Sequence, residues 1–190
     1  GVLLSSSLLL FSITYSFDAM VKNAINIYGS SITGTEVRVK KTEFSLDGKG
    51  ELKSFNVHNP KSFSAESFFK VDSFSTEIDL KSFLSTIKVI NLIKIEKPII
   101  RLEFDNKENS NLDMILNNVL KFSQKINGND SSTKEKSSLS KLILKEFSLK
   151  DATLEILIPH TKKIITLGLP PIYFKDIGLS EGGVLPNQLV

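Results

Sequence analysis

Residues 87–119 read IKVINLIKIEKPIIRLEFDNKENSNLDMILNNV, and they hold two strands and a helix in plain sight. From Ile87 to Ile95 the chain is apolar and β-branched, with Lys88, Asn91 and Lys94 interspersed. After Pro98, Ile100, Arg101, Leu102, Glu103 and Phe104 alternate strictly between apolar and charged. That pattern predicts a half-buried strand pair broken at Pro98, which lacks the amide a ladder needs. The polar DNKENSN is a turn. Leu112, Ile115, Leu116, Val119 and Leu120 then recur at the spacing of one helical face, with Ser110 and Asp113 placed as a capping box at its start.

Working outward from there, strands dominate. Val37 and Val39 alternate with Arg38 and Lys40, whereas Phe44 and Leu46 fall in the opposite phase, which places a bulge or bend between the two halves. Asp47-Gly48 between two alternating runs is a strong hairpin signal, and the return strand runs from Glu51 to His58 and stops at Asn59-Pro60. Another strand, again changing phase midway, carries Phe69, Val71, Phe74, Ile78 and Leu80. Beyond residue 140, strands are expected at Leu142 to Leu149, at Leu154 to Ile158 and at Ile165 to Leu169, with a turn at Pro159-His160. TEFSLDGKGEL (42–52) and KEFSLKDATLEI (145–156) match well enough to predict an internal repeat of strand pairs.

The remaining segments differ in composition. Residues 1–17 carry no charge and, with a few residues more, would span a bilayer, which needs about 20 apolar residues. The rival readings are a secretory signal peptide, for which no A-x-A-like site stands near residues 15–24, and a buried core helix, which Ser5, Ser6 and Ser7 disfavour. An amphipathic helix over 18–30 follows, with Phe17, Met20, Val21, Ala24 and Tyr28 on one face and Gly29 as its end. Residues 123–139, SQKINGNDSSTKEKSSL, have the composition of a disordered insertion. The chain opens on Gly1 and closes on Val190, and it reads as a fragment of a longer protein.

At 190 residues, with net charge +3 and no cysteine, the chain is long enough for one domain with a core; disulfides and cysteine-ligated metals are excluded. The mild positive balance lacks the clustered basic face of a nucleic-acid binder. Chemistry is not apparent. His58 and His160 lie far apart, Gly48-Lys49-Gly50 is not a dinucleotide or phosphate loop, and Glu43, Asp47, Glu51, Asp72, Glu77 and Asp79 alternate with apolar residues as a solvated strand face does. Neither catalysis nor a cofactor is expected.

The block from Lys97-Pro98 through Ile100–Phe104 to Asn111-Leu112 resembles the AsmA-like family of bacterial envelope proteins. The closing segment LGLPPIYFKDIGLSEGG is similar too, at Leu169-Pro170, at Ile172 with Phe174, at Asp176-Ile177-Gly178 and at Gly182-Gly183. The resemblance implies a single-module member. Its inner-membrane anchor (1–17) would precede a curved antiparallel sheet of eight to nine strands in the periplasm (35–190), with a concave apolar groove for phospholipid acyl chains. Phe44, Leu46, Phe55, Val57, Phe74, Ile78, Ile100, Leu102 and Phe104 would line it. The implied role is non-catalytic binding or conduction of phospholipid in outer-membrane biogenesis. Two other readings of the same alternation stay open: an ordinary sheet with one packed and one wet face, and a module that binds another envelope protein through its sheet.

Overall fold

The computed structural model describes residues 2–85, 87–105, 109–127, 141–158, 161, 163–180 and 183–186. Among the described residues the chain is mainly β with two helices, and one open sheet has nine strands of five residues or more and a four-residue tenth at one edge. A long helix α1 (Val2–Thr33) leads into β1 (Val37–Phe44), β2 (Lys49–His58) and β3 (Ser67–Ile78); a 3-10 turn (Leu80–Leu84) leads into β4 (Ile87–Glu96) and β5 (Ile99–Glu103). Then come α2 (Asn111–Asn127), β6 (Lys141–Lys150), β7 (Thr153–Leu157), β8 (Ile164–Gly168), β9 (Ile172–Ser180) and β10 (Gly183–Pro186).

The order of pairing shows that β4 with β5, β6 with β7 and β8 with β9 are long strands each broken between its two segments. β3 pairs with β4 through Phe74–Ile95 and with β5 through Phe69–Ile100, so both lie along one edge of β3. β6 and β7 lie along β4 and β5 in the same way, and β9 and β8 along those. The expected antiparallel sheet is therefore mixed: β4 with β6 and β5 with β7 are parallel. A parallel neighbour requires a crossover long enough to return to the starting end of the sheet, and α2 lies in that connection.

A second interruption, at Asn91, Lys145 and Asp176 (φ 53°), crosses β4, β6 and β9, whereas the breaks between these paired segments fall on one line across the sheet. Ser54, Lys97 and Asp151 all have positive φ, at 54°, 54° and 51°. By register Ser54 stands level with Lys40 and Asp72, and Lys97 with Asp72 and Asp151; none of these has a ladder partner there. A left-handed residue costs about 1–3 kcal/mol outside glycine, and here it turns the pleat over. Apolar residues accordingly change parity at the line: 39 to 44 in β1, 55 to 52 in β2, 71 to 74 in β3. The phase changes legible in β1 and β3 are this crease.

Helix α1 departs from expectation. Among the described residues no helix is long and apolar enough to cross a membrane, so the anchor expected at 1–17 finds no support in the structure. The amphipathic segment does not end at Gly29 but runs to Thr33, where Gly34, at φ +67°, supplies the left-handed stop and donates its amide to Ser30 at 3.0 Å. Gly29 serves closeness instead: a Cβ there would stand 2.9 Å from Val37. Phe17, Val21 and Ile25 face the sheet, while Asp18, Asn26 and Ser30 form a second stripe that accepts the amides of Phe44, Val39 and Val37 at 2.9, 2.8 and 2.8 Å. The free edge of β1, with which no further strand among the described residues pairs, is thereby sealed by side chains.

Two more expectations change. The stretch 123–139 begins inside α2, because Ile115, Val119, Phe122 and Ile126 prolong the helical period; from residue 128 it lies outside the described residues. The matched segments are not two strand pairs. At 42–52 the chain reverses through Gly48, whose φ of +87° and position against the Ile78 carbonyl (2.1 Å from a built Cβ) leave room for no other residue. At 145–156 it only bends at Asp151 and continues in the same direction from β6 into β7. β7 and β8 pair antiparallel, with Ile158 donating to the Lys163 carbonyl, and the turn expected at Pro159-His160 lies outside the described residues.

Candidate functional site: an apolar face covered at one end

Register partners project from the same face of a sheet, so the ladder can be read as rows of side chains. One row runs Val37, Val57, Phe69, Ile100, Leu154, Leu167. A second, beyond the crease, runs Thr42, Leu52, Phe74, Ile95, Leu149, Ile172, and a third runs Phe44, Gly50, Thr76, Ile93, Phe147, Phe174. All are apolar apart from Gly50 and two threonines. The parity change at the crease is what keeps them on one face.

Cover on that face is uneven. Over β1 to β3, α1 closes a core of Val21, Val39, Phe44, Leu52 and Ile78, against which Phe17, Ile25, Phe55 and Phe74 pack. Phe44 meets Phe17 edge-on at 5.5 Å, and Phe55 meets Phe74 the same way at 5.5 Å. Farther along the rows the cover runs out. Val37 is 3% exposed, Ile100 and Leu154 are half-buried, and Leu167 is 47% exposed; Ile165 and Phe174 end at 45% and 38%. Phe174 stacks obliquely on Phe147 at 5.9 Å.

Against this map the expected groove residues divide. Phe44 and Ile78 belong to the closed core, and Phe55 and Phe74 pack on it. Val57, Ile100, Leu102 and Phe104 are half-buried, the last bridging back to Ser110. Leu46 is in the β1–β2 turn, 65% exposed and off the rows. Sequence reasoning missed Phe147, Leu154, Ile156, Ile165, Leu167 and Phe174, although their alternation was visible, because it weighed the first half of the chain and not the strands that end up uncovered.

The opposite face is polar and largely matched in charge. Lys41 and Lys53 pair with Glu43 and hold its carboxyl down at about 2; Lys94 pairs with Glu96 at 2.9 Å and Arg101 with Glu155 at 2.6 Å. At the junction of β5 and α2, Asn111 is fully buried. Its amide donates to Asn59 Oδ1 at 2.8 Å and to the Arg101 carbonyl at 2.7 Å, and its oxygen accepts from the amides of Glu103 at 3.1 Å and Leu112 at 2.9 Å. Just before it, Ser110 and Asp113 bond reciprocally as the expected capping box. Glu103 in turn accepts from the amides of Ser64 and Ala65 at 2.7 and 3.0 Å. These groups fasten the β2–β3 loop to β5; they are fully occupied with one another and free for no chemistry. Among the described residues no three His, Asp or Glu side chains converge on a metal site.

No family model matches the chain, and no curated protein matches it.

Proposed function

We propose that this protein binds phospholipid acyl chains on the uncovered part of its apolar face, without catalysis, and holds or passes lipid at the bacterial envelope. The observation that carries the reading is the continuity of the rows: the same apolar stripe that α1 seals over β1–β3 runs on to Leu167 and Phe174, exposed to solvent on β8 and β9. A stripe of that kind on an otherwise polar sheet needs an apolar partner. Extended aliphatic side chains in parallel rows suit acyl chains, and the resemblance to AsmA-like proteins points to the same ligand. The lining on this reading is Ile100, Leu102, Leu154, Ile156, Ile165 and Leu167, with Phe174.

One observation favours a second reading, in which a partner protein adds a strand: β8 is an edge strand with all five residues exposed. The two readings separate in one experiment. Protein extracted from bacterial membranes is analysed for bound phospholipid by mass spectrometry, as wild type and as the Leu154→Ser/Leu167→Ser variant. Retained lipid in the wild type and its loss from a variant of unchanged melting behaviour is the expected outcome. Absence of lipid from the wild type, or equal retention by both, rejects the acyl-chain site.

A further inference from the structure

A second concavity lies on the other side of β1, where the polar stripe of α1 meets the polar face of β1–β3. Its volume is about 600 Å³, within the range of small-ligand sites. Lys22 of α1 and Arg38, Lys40 and Lys70 of the sheet line it, with Glu66 as the carboxylate among them. Arg38, Asn56 and Lys70 are register partners and project together, while Lys22 continues the helical stripe of Asp18 and Asn26.

Three observations set this cleft apart from an ordinary wet sheet face. Lys22, Lys40 and Lys70 line the cleft together without an ion-pair partner among the described residues, as Lys175 stands singly elsewhere on that face, whereas Lys41, Lys53, Lys94 and Arg101 are matched by carboxylates and Arg38 is engaged with Glu36 at 2.6 Å. The floor is the crease: Ser54, at positive φ, has no register partner in β1 or β3, so the cleft opens over a missing rung. In its wall, Asn56 Oδ1 is buried and has no hydrogen-bond partner among the described residues. The amide torsion is soft, and a turn about it presents either atom to a ligand.

We propose that this cleft binds a phosphate group carried on a small organic moiety, with Lys22, Lys40, Lys70 and Arg38 as its cationic cradle. Lysines at several angles suit a phosphate, which accepts from all sides, and Arg38 adds the planar fork that grips two of its oxygens. The remaining volume takes the organic part beside Asn56. The site stands independently of the acyl-chain reading, since none of the residues that line it belongs to the uncovered lining on β5 and β7–β9. Such a phosphate comes from a soluble ester or from a phospholipid headgroup.

The test uses the whole chain and two probes: glycerol 3-phosphate by calorimetric titration, and flotation with vesicles of phosphatidylglycerol in phosphatidylcholine. Wild type is compared with Lys40→Glu/Lys70→Glu and with the control Lys175→Glu, which alters charge on β9; all three positions are exposed, and thermal melting verifies the fold. The site is upheld if the double variant binds at least about tenfold more weakly than wild type while the control binds as wild type does. Saturable titration with the soluble ester assigns the free source; flotation without titration assigns the headgroup. Neither probe binding wild type, or the control losing as much as the double variant, overturns the proposal.

Discussion

The two halves of the sheet are built from the same kind of row and end in different states. In β1–β3 the apolar residues are sealed beneath α1, and the strand edge is closed by Asp18, Asn26 and Ser30. In β7–β9 the same rows continue with no helix of the described residues packed over them, and β8 ends with an open edge. Alternation alone therefore fixes which face is apolar, not whether that face is a core. What decides it is whether a helix of the right length and polarity lies alongside.

The largest expected effect puts that contrast to a direct test. Phe44→Ala removes a ring held by Phe17 and packed over Gly50, and truncation of a buried Phe costs about 3–5 kcal/mol. Phe174→Ala, at the far end of the same row and 38% exposed, is expected to cost about 1 kcal/mol, since part of its area already meets water. Chemical denaturation of the two variants gives both numbers. Equal losses would mean that the outer half is as closed as the inner one, and the distinction between core and binding face would fall.

Much of this layout was legible in the sequence. Strict alternation located β5, the Asp47-Gly48 pair located the first hairpin, and Ser110 with Asp113 located the start of α2, because each is a local signal that reads over a few residues. The parity changes were visible as well. Pairing across the crossover was not: the partnership of Ile87 with Lys141 depends on where α2 delivers the chain, and nothing within either strand encodes it. The match between 42–52 and 145–156 misled for a related reason, since Gly48 and Asp151 both adopt positive φ but only the former closes a hairpin. Asn111 could have been noticed only as a helix-starting asparagine. Its four bonds join groups from three segments that come together in the fold alone.

Asn111 sits at the seam between the two halves, and the second expected effect concerns it. Asn111→Ala leaves Asn59, the Arg101 carbonyl and the Glu103 amide without their partner in a site sealed from water. Each abandoned buried group costs about 1–3 kcal/mol, and with partial rearrangement the total is expected near about 3 kcal/mol. If the halves are coupled through this residue, hydrogen exchange in the variant will quicken at the β2–β3 loop and at β5 together. Quickening confined to α2 would show that the seam is held elsewhere.

The smallest effect comes from Glu103, which ties the same loop by charge and so makes the seam sensitive to pH. Partial burial pushes its carboxyl up, but the bonds from the Ser64 hydroxyl and the amides of Ala65 and Ser64 outweigh this, and the group titrates below its ordinary 4.5. A carboxylate whose pKa is lowered on folding adds stability that is complete above the unfolded value and is lost as pH falls through the folded one. Glu103→Gln keeps the shape and removes the charge, so it is expected to cost about 1 kcal/mol at neutral pH, the lower end for bonds to a charged group because the site is partly wet. The deficit relative to wild type should begin to shrink as pH drops below about 4.5 and vanish once pH has fallen through the lower folded-state value, where the wild-type carboxyl is protonated as well. Urea unfolding of both proteins across that range measures it. A deficit independent of pH would mean that Glu103 holds the loop by shape and not by charge, and the seam would then join the halves through Asn111 alone.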